Sequence, residues 1–272
     1  MLELTPADAK LVQALDLYQL LTIEQAVRLG VANRKHVGER LSRLVNAKCV
    51  GLLPTKIGRA GVYWLTERGA NDYTEILPEG AGKRARKKPY TGGAHARQRI
   101  EIVDCHIALR QWAERTGWRI EKVQVEFERN TGKGILAPVT EVRWNGHEYQ
   151  PDGLCLVTSP EGEPFVFALE VETGGDAMSL DNFRRKLEKR LSVLEDFGIE
   201  QAINWPDHNR AARMLFVFST ALMVSNAKRI VSHPDAPEWA KVGFKALPEV
   251  IEDFGSAWWQ VQGRHHFPFT GS

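Results

Sequence analysis

The chain has 272 residues, of which 43% are hydrophobic, and a formal net charge of +2. This length allows one large domain or two of moderate size, and the hydrophobic fraction is that of a globular protein. No stretch approaches the roughly 18 apolar residues of a membrane span, and the N-terminus has no signal-peptide pattern. Its three isolated cysteines lack metal-binding spacing. The composition therefore predicts a cytoplasmic protein without a membrane partner.

The charge is distributed unevenly along the chain. Residues 1–90 contain 15 Lys and Arg against 9 Asp and Glu, whereas the remaining 182 residues contain 21 against 25. The N-terminal third therefore carries a charge of +6 and the rest carries −4. A basic N-terminal part suits contact with a polyanion, and an acidic remainder suits a bound cation.

Residues 1–75 predict three helices followed by a β-hairpin and a short fourth helix. Thr5 is placed to cap the first helix, Gly30 to end the second, and Asn33 to cap the third. Two apolar runs on either side of a glycine-containing turn then indicate the hairpin. This order is that of a winged helix–turn–helix domain, in which the third helix can enter the DNA major groove while the hairpin contacts phosphates.

Basic side chains lie on the third helix, at the tip of the hairpin and in a Pro- and Gly-bounded linker of residues 76–94. Because each neutralised phosphate strengthens binding to nucleic acid, we expect them to contact double-stranded DNA. The alternatives are a winged helix used for protein contacts or dimerisation, and a linker that is merely solvated. The predicted DNA-binding residues are Arg34, Lys35, Arg40, Arg43, Lys56, Arg59, Lys83, Arg84, Arg86, Lys87 and Lys88.

Residues 95–272 predict a second domain built on a mixed α/β sheet. A long helix over residues 95–112 precedes a strand and then a β-hairpin over residues 149–174. A basic, amphipathic helix follows, and residues 214–218 form a short buried strand. The C-terminal aromatic residues, including Trp258 and Trp259, are expected to dock onto the domain or onto a partner.

Three acids stand at one end of this hairpin. Asp152 precedes its first strand, and Glu170 and Glu172 end its second strand on one face, because side chains alternate along a strand. Hard divalent cations such as Mg²⁺ bind through one or two carboxylates together with substrate phosphates, so these acids are candidate ligands. Glu172 has a second interpretation, as a structural acid on the other face. Lys186, in the following helix, is the candidate for stabilising charge on phosphoryl oxygens.

The pattern Asp152…Glu170-x-Glu172 resembles the PD-(D/E)xK nuclease motif, with Glu172 in the position of the usual lysine. Over roughly residues 5–232, the order of elements and short motifs is similar to that of the replication-relaxation proteins and the MobC-type plasmid relaxases. The resemblance implies a restriction-endonuclease-like domain that acts with Mg²⁺ or Mn²⁺ on plasmid DNA, at an origin of transfer or replication. It also implies that Lys186 replaces the strand lysine.

The resemblance further implies a catalytic acid in the long helix, for which Glu101 and Asp104 are candidates and Asp104 is favoured. One departure concerns the position four residues after Lys186, where an aromatic residue, often tyrosine, is expected and Arg190 is present. A covalent tyrosine mechanism is therefore unsupported, and direct hydrolysis or an absence of cleavage fits better. Tyr149 is the tyrosine nearest to the acids in sequence.

Three functions follow from these patterns. The first is a metal-dependent endonuclease that nicks plasmid DNA at a specific site. The second is a non-catalytic regulator of replication, transfer or transcription with a degenerate nuclease-like domain. The third is a restriction nuclease that makes double-strand breaks. A homodimer would suit a pseudo-palindromic DNA site, although no interface stripe is evident in the sequence.

Overall fold

The structure is a computed structural model that describes residues 3–53, 61–77, 93–125, 129–130, 137–138, 140–144, 146–174, 183, 185–188, 190, 193, 212–230, 242–260 and 263–267. The chain divides into two compact units, residues 1–107 and residues 108–272. Within the described ranges, no helix is both long enough and apolar enough to cross a membrane.

The first unit contains the predicted helix, helix, helix and hairpin in that order. Its elements are α1 (Pro6–Tyr18), β1 (Leu21–Thr22), α2 (Ile23–Arg28), α3 (Arg34–Asn46), β2 (Val50–Leu52), β3 (Val62–Leu65), α4 (Glu67–Asp72), a 3₁₀ turn (Thr74–Ile76) and the first half of α5 (Gly93–Thr116). The three strands form an antiparallel sheet in the order β1-β3-β2. The two-residue strand β1 was not predicted, because it is too short to show alternation.

Helix starts in the first unit are set by local sequence. The side chains of Thr5, Thr22, Asn33 and Thr66 each accept a hydrogen bond from the backbone N–H three residues later. Caps of this kind are each worth about 1 kcal/mol of stability. Apolar residues at helical spacing on α1 and α3 then form part of the buried core. These core residues are Leu11, Val12, Leu15, Val37, Leu41 and Leu44.

The first unit includes part of the helix with which the sequence predicts that the second domain begins, at residue 95. The Gln25 side chain on α2 donates a hydrogen bond to the carbonyl of Ile100 on α5, at 2.8 Å. Ala96 and Ile100 also pack against apolar residues of the first unit, such as Leu20 and Val62. The first half of α5 therefore belongs to this unit, which the helical periodicity of α5 could not reveal.

The second unit is built on a seven-stranded mixed sheet. Its elements after α5 are β4 (Arg119–Val125), β5 (Arg129–Asn130), β6 (Ala137–Pro138), β7 (Val142–Trp144), β8 (His147–Tyr149), β9 (Gly153–Thr158), β10 (Pro164–Glu172), β11 (Arg213–Phe218), α6 (Ala221–Ile230), β12 (Val242–Ala246), α7 (Leu247–Glu252), β13 (Trp258–Gln260) and β14 (Gly263–Phe267). Strands β5–β6 and β7–β8 form two separate short pairs that the sequence did not predict.

The strand order in the large sheet is β14-β13-β12-β11-β10-β9-β4. Strand β9 runs antiparallel to its two neighbours, β4 and β10, and β10, β11 and β12 run parallel to one another. The predicted mixed α/β sheet is confirmed.

The predicted hairpin is formed by β9 and β10, with Leu169 opposite Gly153 and a turn in which Gly162 has a positive φ of 87°. Alternate residues of β10 face opposite sides of the sheet. Val166 and Ala168 belong to a buried cluster with Phe183 and Leu187, two of the helical residues that follow β10. The opposite face carries an aromatic cluster formed by Trp112, Trp118, Phe165, Phe167 and Phe254.

The aromatic segment near the C-terminus forms part of the sheet. Strand β13 pairs antiparallel with β12, and Trp258 is fully buried. The Trp258 indole N–H donates a hydrogen bond to the carbonyl of Phe254 at 2.6 Å. The segment thus docks onto the domain, as predicted, by adding a strand to the sheet.

Candidate functional site

Asp152 and Glu170 lie on neighbouring strands of the large sheet. The pairing of Gly153 with Leu169, continued by one residue, places Asp152 opposite Glu170. Residues opposite each other on antiparallel strands have Cα atoms about 5 Å apart, so both carboxylates are brought to one place. Both are buried, with 6% of Asp152 and 1% of Glu170 exposed. The Asp152 carboxylate is held by the backbone N–H of Val171, which donates to Oδ2 at 2.6 Å.

Arg190 connects the two glutamates of β10. Its guanidinium lies 2.6 Å from Glu170 Oε2 and 3.5 Å from Glu172 Oε1. It is also packed over two aromatic rings, 5.7 Å from the centre of Tyr149 and 5.6 Å from that of Phe216. Because one side chain reaches both glutamates, Glu170 and Glu172 share a face of the sheet, as the alternation of side chains along the strand predicts.

Lys186 completes this cluster through Glu172. The Lys186 ammonium donates a hydrogen bond to Glu172 Oε1, the same oxygen that faces Arg190. Lys186 is two-fifths exposed, whereas Arg190 is only 12% exposed. The cluster therefore has one buried cation and one cation near solvent. Both line a cavity of about 220 Å³, together with Glu148, Tyr149 and Gln150.

Burial shifts the protonation equilibria in the cluster. It raises the pKa of Glu170, although the positive charges of Arg190 and Lys186 oppose the rise. Burial acts to lower the pKa of Arg190, but the surrounding negative charges, of which that of Glu170 is the largest, together outweigh it and the pKa is raised. Burial, followed by the negative charge of Glu170, holds the pKa of Tyr149 well above its usual value. Arg190 is thus a permanent cation at this site.

Two buried polar atoms of the cluster make no hydrogen bond within the described parts of the chain. They are Glu170 Oε1 and the Tyr149 hydroxyl oxygen. The hydroxyl lies close enough to Glu170 to interact with it, and that interaction adds to the rise in the pKa of Tyr149. A buried carboxylate oxygen without a partner is costly, and a bound cation would satisfy it.

Two of the three predicted acids are placed to bind a hard divalent cation. Asp152 and Glu170 supply two neighbouring carboxylates, and one or two carboxylates suffice for Mg²⁺ that is also bound by substrate phosphates. The predicted three-acid set is not assembled: among the residues that the structure describes, no three His, Cys, Asp or Glu side chains are arranged to hold a metal ion. Glu172 is engaged by Lys186 and Arg190 instead.

The two helical acids have partners within the first unit. Asp104 Oδ1 lies 2.5 Å from the Arg28 guanidinium of α2, and Glu101 Oε1 lies 2.8 Å from Arg97 one helical turn away. Burial raises the pKa of Asp104, and the charge of Arg28 opposes that rise. These ion pairs account for both acids as structural residues that stabilise the first unit. A catalytic role for either residue stays a prediction.

The predicted DNA-binding residues of α3 are described, and those of the hairpin tip and the linker are not. Lys56, Arg59, Lys83, Arg84, Arg86, Lys87 and Lys88 lie outside the described residues. On α3, Arg34 and Lys35 are largely exposed, with 76% and 82% of their side chains accessible. Arg34 pairs with Glu24, and Lys35 lies 4.0 Å from Glu39.

The first turn of α3 differs from that of the other helices between α1 and α4. Each of α1, α2 and α4 has an acidic residue there, which the positive end of the helix dipole stabilises. The first turn of α3 has none and carries Arg34, Lys35 and His36 instead. Positive charge at this end of a helix opposes the dipole, so it lowers stability unless an anion is bound nearby.

Asp8 of α1 holds two of the predicted DNA-binding arginines. Its fully buried carboxylate accepts a hydrogen bond from Arg40 at 3.0 Å and another from Arg43. Arg40 also donates to the Thr5 hydroxyl at 2.6 Å. Burial acts to raise the pKa of Asp8, but the hydrogen bonds from Thr5, Arg43 and Arg40 outweigh it and lower the pKa to about 2. The acid thus fixes the orientation of both arginines.

We expect Asp8→Asn to lower the free energy of unfolding of the first unit by about 2 kcal/mol, because it removes charge-assisted hydrogen bonds. Since its folded-state pKa of about 2 is below the ordinary 3.8, the contribution of Asp8 is present above pH 3.8 and is lost as the pH falls towards 2. Hydrogen exchange of amides in α1 and α3 measures this change. Glu39→Gln, which breaks only a long, exposed ion pair, is the control and should change stability by less than about 0.5 kcal/mol. Equal protection in both variants would contradict the assigned role of Asp8.

Sequence reasoning missed the roles of Arg190 and Asp8, although each had a signal. Arg190 lies four residues after Lys186 and therefore on the same stripe of a helix, which suggests that both contact the same acids. Asp8 lies three residues after Thr5, where it completes a capping box. Neither position predicts the long-range partners that the structure gives these residues.

The comparisons with known proteins leave the family open. No family model matches the chain, and no curated protein matches it. The restriction endonuclease FokI bound to DNA is a solved structure that the chain resembles, with 14% identity and a TM-score of 0.26. The match covers 93% of this chain and 45% of that one, so the chain spans less than half the length of that protein. At this TM-score the similarity establishes neither a shared fold nor a shared activity. The resemblance to replication-relaxation proteins stays a prediction.

Proposed function

We propose that this protein binds a specific double-stranded DNA site through its first unit and cleaves a phosphodiester bond with a divalent ion held at Asp152 and Glu170. The observation that carries the proposal is the buried pair of carboxylates on neighbouring strands, one of which has an oxygen without a partner among the described residues. The cavity beside them is lined by two cations, Lys186 and Arg190, which suits a phosphate diester better than a neutral substrate.

Each side chain of the cluster has a task in this proposal. Asp152 and Glu170 would hold Mg²⁺ or Mn²⁺, which when bound supplies Lewis-acid stabilisation of a phosphoryl group and activation of water. Lys186, the more exposed of the two cations that line the cavity, is placed to contact a phosphate oxygen of the DNA backbone. Arg190 adds a fixed positive charge deeper in the cavity. Tyr149 is buried, and its raised pKa makes it a poor nucleophile, so hydrolysis is favoured over a covalent tyrosine intermediate.

The element order of the first unit and the exposed basic start of α3 support the DNA-binding part of the proposal. The finer assignment is nicking of plasmid DNA at an origin of transfer or replication, which follows from the sequence resemblance. A homodimer bound to two half-sites is part of this assignment only if the DNA site is palindromic.

A second candidate function is DNA binding without cleavage, in a regulator of replication, transfer or transcription. The observation in its favour is that Lys186 and Arg190 already neutralise Glu172 and one oxygen of Glu170. In that case the cluster stabilises the second unit and takes no metal.

Incubation with supercoiled plasmid and Mg²⁺ or Mn²⁺, for wild type beside Glu170→Gln, separates these functions. We expect relaxed circles from the wild type and a loss of at least about 100-fold in rate for the variant, because a ligand of the ion is removed. Linear product would indicate a nuclease that makes double-strand breaks. Unchanged plasmid under every metal condition would support the non-catalytic function. Equal cleavage by both proteins would refute the assignment of the site.

A further inference from the structure

The two oxygens of Glu170 have different surroundings. Oε2 lies 2.6 Å from the guanidinium of Arg190, which is a close, charge-assisted contact. Oε1 is buried and has no hydrogen-bond partner among the residues that the structure describes. A cation can therefore bind Oε1 while Arg190 stays on Oε2, and the carboxylate would bridge the two positive charges.

Glu172 differs from Glu170 in this respect. Its Oε1 atom accepts a hydrogen bond from Lys186 and also faces Arg190 at 3.5 Å. A metal ion could bind this oxygen only by displacing two positive charges. The guanidinium also lies over the rings of Tyr149 and Phe216, at 5.7 and 5.6 Å from their centres, and these contacts would be lost if it moved away.

The charge of the cluster points to a single ion. Asp152, Glu170 and Glu172 supply three negative charges when ionised, and Lys186 and Arg190 supply two positive charges. These five side chains together have one net negative charge. One divalent ion and one bound phosphate diester would bring the total to zero, whereas two divalent ions would leave an excess of positive charge.

We propose that the site takes one divalent cation, bound by Asp152 and the Oε1 atom of Glu170, and that Glu172 is the counter-ion of Lys186 and Arg190 and not a ligand. The inference rests on the metal dependence in the proposed function and deepens it. Arg190, which contacts the other oxygen of Glu170, is then already part of the charge balance and leaves room for one divalent ion only.

Charge-balanced variants test this assignment by Mn²⁺ binding, measured by isothermal titration calorimetry and by the electron paramagnetic resonance spectrum of the bound ion. Glu172→Gln/Lys186→Gln and Glu170→Gln/Lys186→Gln each remove one negative and one positive charge, so long-range electrostatics changes equally in both. We expect one Mn²⁺ per wild-type chain. In the Glu172 double variant, the Mn²⁺ affinity should stay within about 3-fold of the wild-type value and the spectrum should not change. In the Glu170 double variant, which loses a ligand, the affinity should fall by at least about 30-fold.

The outcomes separate this inference from the proposed function. Two bound ions, or an equal loss of affinity in both double variants, would overturn the inference while leaving metal-dependent cleavage intact. The expected binding together with uncut plasmid would overturn the proposed nuclease and leave the one-ion site standing. No Mn²⁺ binding by the wild type would overturn both. Circular dichroism checks folding. If the Glu172 double variant fails to fold, Glu172→Asp replaces it. Shortening a metal ligand should lower the Mn²⁺ affinity by about 10-fold or more, whereas shortening a counter-ion should leave the affinity unchanged.

Discussion

Arg190→Gln should lower the free energy of unfolding of the second unit by about 3 kcal/mol or more, because it leaves the carboxylate of Glu170 buried without its cation. Glu170 is 1% exposed and Arg190 is 12% exposed, so water replaces little of the lost interaction. The cost should be smaller in mildly acidic than in mildly alkaline solution. Burial already raises the pKa of Glu170, and a carboxyl of this kind weakens the folded state as the pH rises through its folded pKa.

Denaturant unfolding followed by tryptophan fluorescence measures this effect in the intended unit. Seven of the eight tryptophans lie after residue 107, so the signal comes mainly from the second unit. Lys186→Gln is the matched control, since it removes a cation from the same cluster that is two-fifths exposed, and it should cost less than about 1 kcal/mol.

A double variant makes the explanation specific. Glu170→Gln in the Arg190→Gln background removes the uncompensated charge and should restore at least half of the lost stability, although both single variants disturb the same ion pair. If Arg190→Gln were no worse than Lys186→Gln, or if the double variant were the least stable of the set, Arg190 would not be the cation that compensates Glu170.

The second large effect concerns the first turn of α3. Arg34→Ala/Lys35→Ala should weaken DNA binding by at least about 10-fold at moderate salt, and the slope of log affinity against log salt should fall by about 2, since two phosphate contacts are lost. The same variant should be slightly more stable than wild type. It removes two positive charges from the positive end of a helix that has no acidic residue in its first turn.

Fluorescence anisotropy with a labelled duplex at several salt concentrations, together with thermal unfolding, measures both quantities. Lys10→Ala/Arg68→Ala is the control, because it removes the same charges from exposed positions on α1 and α4. If the two double variants lost affinity and salt dependence equally, the attraction would be general to a basic unit and would not be located on α3. A variant that is less stable and binds normally would contradict the role of this turn.

Much of the fold could be predicted because its signals are local. Thr5, Thr22 and Asn33 cap helices through hydrogen bonds to residues three positions away, so a short stretch of sequence contains both partners. The hairpin of β9 and β10 is equally local, since a single turn joins its strands and sets the register that puts Asp152 beside Glu170. The alternation of side chains along β10 then brought Glu172 to the same face.

Elements without a local signal were missed. Strand β1 is two residues long and is stabilised by pairing with β3, which lies about forty residues further along the chain. The first half of α5 joined the first unit through contacts such as that of Gln25 with Ile100, which helical periodicity does not encode.

The sequence by itself predicted a hairpin with acids at one end and, earlier in the chain, a basic third helix in the order of a winged helix–turn–helix. Tertiary structure alone decided which charges compensate which acids. Arg190 contacts Glu170 and Glu172, which lie 20 and 18 positions before it in the chain. Arg40 and Arg43 contact Asp8, which lies more than 30 positions before them. A buried charge must find a partner wherever packing places one, and the distance along the chain does not limit that choice.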